Sequence, residues 1–95
     1  MAVTVQHHPE QPCFYYQEGG TQAYLEYTLS NQIMTIEHTW VPTELGGRGI
    51  AAALTQAALQ MARKHQWQVR PQCSYAARFI EKNQQYQDLL VHSSR

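Results

Sequence analysis

Gly46, Gly47 and Gly49 place three glycines within four positions. They stand between a β-favouring stretch that ends at Pro42 and an alanine-rich stretch with helical spacing. This order of strand, glycine loop and helix limits the fold strongly. The first N–H groups of a helix have no partner inside it, and the helix dipole places partial positive charge there. Glycines strip the approach of side chains, so that an anion can reach the backbone. The segment Leu45–Ala51 therefore reads as a phosphate-binding turn, to which Arg48 adds a charged hydrogen-bond donor. The competing use of the glycines is chain reversal alone.

The flanking chain supplies the rest of an α+β domain. Residues 1–11 are polar and read as a loose start with a short strand at Val3–Val5. Cys13–Gln17 is aromatic and β-favouring, and Glu18-Gly19-Gly20 reads as a hairpin turn. Ala23, Leu25, Tyr27 and Leu29 alternate with polar neighbours as a strand with one apolar face, and Ser30-Asn31 marks a second turn. In Gln32–Val41, strict alternation puts Met34, Ile36, His38 and Trp40 on one face. Apolar residues fall on both faces, so this strand belongs near the sheet centre. Ile50, Leu54, Ala57, Ala58 and Met61 recur at helical spacing over Arg48 to about Gln66, with Arg63, Lys64 and His65 suited to the last turn. A short strand, Trp67–Gln72, follows. A second helix runs from an N-cap at Ser74 to about Lys82, and Tyr86–Val91 adds a further turn. A strand–helix–strand crossover makes strands 32–41 and 67–72 parallel neighbours. The expectation is a mixed sheet: three antiparallel strands, a βαβ crossover and a second helix, in one domain over residues 1–95 with loose ends at 1–11 and 92–95.

With 95 residues, the chain holds one small core. Seven basic and seven acidic residues balance to zero formal charge, which argues against a nucleic-acid binder. No stretch is long and apolar enough to span a membrane, and the N-terminus has no basic-then-apolar signal pattern. Cys13 and Cys73 form no CxxC, and His7 and His8 alone do not make a metal site. A soluble cytoplasmic protein, a monomer or a weak dimer formed through an exposed strand edge, is the expectation.

The residues around the loop sort the possible phosphate ligands. A Walker A loop needs Gly-Lys-Ser/Thr, and here Gly49 is followed by Ile50. Gly47-x-Gly49-x-x-Ala52 formally fits a dinucleotide fingerprint, but the acidic residue expected about 20 positions later is missing around Val69–Gln72.

The run Gly46-Gly47-Arg48-Gly49-Ile50-Ala51 resembles the Gln/Arg-x-x-Gly-x-Gly/Ala signature of the GNAT superfamily of acyl-CoA-dependent N-acetyltransferases. Gly49 and Ala51 match, and Gly46 stands where Gln or Arg is usual. His38-Thr39-Trp40-Val41-Pro42 and Pro71-Gln72-Cys73-Ser74-Tyr75 extend the resemblance to a subgroup of very small, single-domain GNAT-like proteins, over roughly Phe14 to Leu90. The resemblance implies acetyl-CoA as cofactor and an amine as acceptor, either a protein or a small molecule. It implies a cofactor site formed by Trp40, Val41, Gly46, Gly47, Arg48, Gly49, Ile50 and Ala51. A backbone N–H near Trp40 or Val41 would polarise the thioester carbonyl. The family pattern Asn-x-x-Ala-x-x-x-Tyr falls on Cys73, Ala76 and Ile80, so the usual tyrosine acid is replaced by isoleucine.

Two catalytic candidates follow. Cys73 precedes a helix start, a setting that favours thiolate. It can act as an acetyl-accepting nucleophile, as an acid for the departing thiolate, or simply as a small buried hydrophobe. His38 is the natural base, since an imidazole is the side chain that exchanges a proton near neutral pH, and packing in the core is its other use. Glu37, Tyr75, Lys82 and Asn83 are lesser candidates. Two further readings remain open: an acyl-CoA-binding module without catalysis, and an interaction domain that has lost its cofactor.

Overall fold

A computed structural model describes residues 4–8 and 10–91. Five strands form one sheet in the order β1-β2-β3-β4-β5: β1 Gln6–His7, β2 Cys13–Glu18, β3 Thr21–Ser30, β4 Ile33–Trp40 and β5 Gln68–Pro71. The first four pair antiparallel, and β5 joins β4 in parallel across helix α1, Ile50–His65. Helix α2 spans Ser74–Lys82, and 3-10 turns occupy Thr43–Leu45 and Gln84–Leu89. The mixed sheet with its crossover is the architecture the alternation and helical spacing imply. The N-terminal strand differs: Gln6 and His7 pair with Tyr15 and Phe14, whereas Thr4 and Val5 lie outside any strand and Val3 is outside the described residues, as are 92–95.

Two tight turns set the register of the antiparallel part. Gly19 has φ +60, which its missing Cβ makes inexpensive, and it joins β2 to β3. Asn31 and Gln32 both have positive φ (54 and 66), the backbone that a two-residue hairpin between β3 and β4 demands. Phe14, Ala23, Leu25, Tyr27, Met34, Ile36 and Val69 are buried on the inner face of the sheet. Helix α1 covers that face with Ile50, Leu54, Ala58, Leu59 and Ala62, one stripe at helical spacing. Burying each leucine or isoleucine of that stripe contributes about 1.5–3 kcal/mol. Thr55, fully buried within it, donates its hydroxyl to the Ala51 carbonyl at 2.9 Å and leaves no polar group unmet.

Strand β4 departs from the strict alternation expected of it. Tyr27 pairs with Ile36 but Glu26 pairs with His38, so Glu37 is an extra residue in a β-bulge. The bulge reverses the side-chain phase. Met34 and Ile36 are buried, whereas His38 and Trp40 emerge on the outer face opposite Glu26 and Tyr24. Thr39 takes the inner-face phase instead, opposite the buried Leu25. His38 is thus an exposed side chain, and packing in the core is excluded for it.

Candidate functional site

The glycine loop is assembled from the chain upward. Pro42 ends β4, and a 3-10 turn follows in which Leu45 N–H bonds to the Pro42 carbonyl (2.9 Å) and Gly46 N–H to the Thr43 carbonyl (3.0 Å). Leu45 is buried and anchors the turn, while residues 46–49 are exposed. Gly47 and Gly49 have φ +75 and +78, left-handed conformations that cost an ordinary residue about 1–2 kcal/mol. Gly49 is the N-cap of α1 and has no side chain to occupy the first N–H groups of the helix; no acidic residue stands in its first turn. Those donors border a cleft of about 370 Å³ lined by Val41, Gly46, Gly47, Gly49, Ala51 and Tyr75. Donors without a partner inside the helix, and the helix dipole, make it a fitting seat for a pyrophosphate.

Arg48 is placed differently from a simple phosphate ligand. Its guanidinium forks onto Glu18 of β2, at 2.6 and 3.0 Å. The Tyr16 hydroxyl also donates to Glu18, at 2.7 Å. The Arg48 and Tyr16 bonds hold the Glu18 carboxyl down to about 2. The loop therefore presents its backbone to the cleft and ties its one cation to the sheet.

Beside the loop the sheet opens. Pairing of β4 with β5 runs from Ile33–Gln68 to Ile36–Pro71 and stops there, because Pro71 ends the ladder. The Gln72 and Cys73 N–H groups both turn back onto the Ile36 carbonyl (3.1 and 3.0 Å), and β4 continues to Trp40 without a β5 partner. Cys73 sits at this divergence as the N-cap of α2. Its carbonyl receives the Ala77 N–H at 3.0 Å, so the helix begins one residue earlier than an N-cap at Ser74 would have it. The Cys73 thiol donates to Thr39 Oγ1 at 3.5 Å. Burial raises the Cys73 thiol, but the Thr39 hydroxyl and the N–H groups of Ala76, Tyr75 and Thr39 outweigh it and hold the thiol below its ordinary value. Cys13 goes the other way: burial and the Glu26 charge push it up.

The structure brings Val41, the three glycines, the start of α1 and Tyr75 to one cleft, and Cys73 and Thr39 to the adjoining gap. Tyr75 also borders a second cleft along α2 with Arg78, Lys82 and Asn83. Asn83 spends its side-chain amide on the Phe79 carbonyl, 2.8 Å away. His38 lies apart, on the outer sheet face, its ring 6.0 Å from that of Tyr24. Glu37 accepts from the Thr28 hydroxyl at 3.0 Å. His7 bonds the Tyr27 hydroxyl at 2.8 Å. Among the described residues no three His, Cys, Asp or Glu converge on a point that would hold a metal ion. Sequence reasoning missed Thr39 and Glu18: both act across the fold, and Thr39 reaches the gap only because of the bulge.

Residues 13–89 match the model of the GCN5-related N-acetyltransferase family. The chain belongs to that family. The fold is also similar to the NMR solution structure of a GCN5-like protein from Staphylococcus aureus assigned to the N-acetyltransferases. The TM-score is 0.75 and the identity 27%, over 98% of this chain and 92% of that one. The family carries an N-acetyltransferase activity and generally uses acetyl-CoA. In this GCN5-related domain Ile80, on which the resemblance places the family's tyrosine, is 2% exposed and packed in the core. No proton donor can act from there. Among the described residues no helix is long and apolar enough to cross a membrane.

Proposed function

We propose that this chain transfers the acetyl group of acetyl-CoA to an amine, with the cofactor pyrophosphate on the N–H groups at the start of α1 and the thioester in the gap between β4 and β5. The observation that carries this reading is the position of the Cys73 thiol at the point where β4 and β5 part, 3.5 Å from the Thr39 hydroxyl and next to the glycine-loop cleft; the direction in which its surroundings shift the thiol agrees with that use. The Cys73 thiolate attacks the thioester carbonyl. The carbon–sulfur bond to CoA then breaks, the CoA thiolate leaves, and the acetyl group stays on Sγ. The acceptor nitrogen attacks that carbonyl in turn, the bond to Sγ breaks and the thiolate returns, while the proton of the amine passes to a base. The Thr39 N–H and hydroxyl are donors suited to the negative charge that develops on the carbonyl oxygen. His38 is the base candidate, from the outer face.

Incubation with acetyl-CoA, without acceptor, followed by intact-mass analysis tests the covalent step. One added acetyl group on the wild type and none on Cys73→Ala is the expected result; acetylation of both, or of neither while transfer to an amine proceeds, removes the nucleophile role. A second reading, an acyl-CoA-binding module without catalysis, is favoured by the burial of Ile80 where the family has its acid. Amide shifts at Gly46–Ala52 on adding CoA, with no transfer to any amine, would select it.

A further inference from the structure

The neutral net charge conceals a segregation. Residues 1–44 contain five glutamates and no lysine or arginine, whereas residues 45–95 contain all seven basic residues and only Glu81 and Asp88 as acids. The basic half supplies the glycine loop and both helices, the part that meets the phosphates in the reading above. The acidic half builds β1 to β4. One face of those strands is packed under α1. Among the described residues no helix covers the other, and Glu26, Thr28, His38 and Trp40 are exposed on it.

That outer face has a defined composition. Tyr15 pairs with Tyr24, and Tyr24 with Trp40, which forms an aromatic row across β2, β3 and β4. Trp40 is 50% exposed. The next row brings Glu26 beside His38, with Glu37 at the bulge between them and Thr28. Glu26, Thr28 and Glu37 line a cleft of about 390 Å³ under the Gln11–Cys13 segment. The one lysine or arginine on a strand, among the described residues, is Arg70, opposite Thr35 on β5 and away from the aromatic row. Aromatic faces next to carboxylates attract an ammonium group by their quadrupoles and by charge.

We propose that this uncovered face is the docking surface for a basic, lysine-bearing polypeptide segment, the acceptor of the acetyl group. The proposal rests on the reading of the β4–β5 gap as the transfer site: Thr39, which contacts Cys73, has the inner-face phase, and its chain neighbours His38 and Trp40 point to the outer face, so a segment on this face reaches the gap along the stretch of β4 that β5 leaves unpaired. A small amine is held in a concave pocket that buries most of its surface. Here the aromatic row is open and spans three strands, about 10 Å at the usual strand spacing, which suits an extended chain laid across it. The carboxylates of Glu26 and Glu37 on this face favour a cationic chain over an acidic one.

The test is an amide and indole NMR titration of the full chain, with and without CoA. Three probes are compared: a synthetic lysine-glycine peptide, the same peptide with every lysine acetylated, and spermidine. The lysine peptide is expected to shift Tyr15, Tyr24, Glu26 and the Trp40 indole, more weakly at high salt. Trp40→Ala and Glu26→Gln should each weaken it roughly two- to fivefold while amide dispersion stays native. Equal shifts from the acetylated peptide, or none on this face, overturn the proposal. Spermidine binding as tightly as the peptide overturns the polypeptide assignment in favour of a small amine. CoA shifts at Gly46–Ala52 are read in the same samples. Their absence removes the cofactor reading by itself, and peptide docking in a chain that does not bind CoA overturns the acceptor role.

Discussion

The thiol of Cys73 donates to the Thr39 hydroxyl at 3.5 Å, across the point where β4 and β5 part. The two residues are 34 positions apart in the chain and belong to different elements, so their contact is a product of the β4 bulge and the early end of β5. When the thiol ionises, the Thr39 hydroxyl beside it can turn to donate to the sulfur, which favours the thiolate.

The two cysteines should therefore differ in reactivity. Cys73 is held below its ordinary value and Cys13 above it. Iodoacetamide at neutral pH is expected to alkylate Cys73 first, with a rate–pH inflection below that of a free cysteine. Thr39→Val should move that inflection upward without loss of fold. Because the folded-state value of Cys73 is depressed, its thiolate contributes stability above the unfolded thiol value, and this is lost as pH falls through the folded value. Faster modification of Cys13, or an inflection that Thr39→Val leaves in place, refutes the assignment.

The loop glycines should not be equivalent. A Cβ at Gly49 meets nothing within 4 Å, so its constraint is the φ of +78 alone. Gly49→Ala should cost about 1–2 kcal/mol in urea denaturation. Gly46 has an ordinary φ of −68, and a Cβ there meets the Thr43 carbonyl at 3.3 Å, a contact that a shift of a few tenths of an ångström relieves. Gly46→Gln, which restores the residue type usual in the family, should fold and should tighten CoA binding in calorimetry. Weaker binding would show that the cleft is filled by the backbone alone.

Glu18 competes with any phosphate for Arg48. Glu18→Gln should release the guanidinium toward the cleft and tighten CoA severalfold at low salt, with the gain shrinking as salt rises. The same pair sets an acid dependence. The Glu18 value is lowered to about 2 in the fold. Its contribution is therefore present above the ordinary carboxylate range and lost as pH falls toward 2. The pair is exposed to solvent, which keeps that contribution small. Unchanged CoA affinity in Glu18→Gln would show that Arg48 has no part in the site.

Leu54 is fully buried where α1 covers the sheet. Leu54→Ala should destabilise the domain by about 2–5 kcal/mol in thermal or chemical unfolding, according to how far the cavity collapses. A loss below 1 kcal/mol would mean that α1 repacks, and the start of α1 would then be a poor fixed seat for an anion.

Much of this was readable from local pattern. Alternation in Ala23–Leu29, the Gly19-Gly20 turn, the glycine loop and the Ile50–Leu54–Ala58 stripe each depend on neighbours within a turn of helix or a strand's length, and the fold follows them. The strand at Gln6–His7 was not readable, because two polar residues become a strand only by pairing with Phe14 and Tyr15. Strict alternation puts His38 on the face of Met34 and Ile36, and it fails for a related reason: nothing local to Thr35–Trp40 signals the extra residue at Glu37, which exists relative to β3.

By itself the sequence determined the strand–glycine–helix unit, the parallel crossover and the family signature, since backbone conformational preference and hydrophobic spacing are properties of contiguous residues. Only the tertiary structure decided which groups meet. It placed Thr39 against Cys73, drew Arg48 onto Glu18 and turned His38 and Trp40 outward beside Glu26. Those arrangements depend on the register between strands and on where a ladder stops, and each is settled by partners about 10 to 35 residues away in the chain.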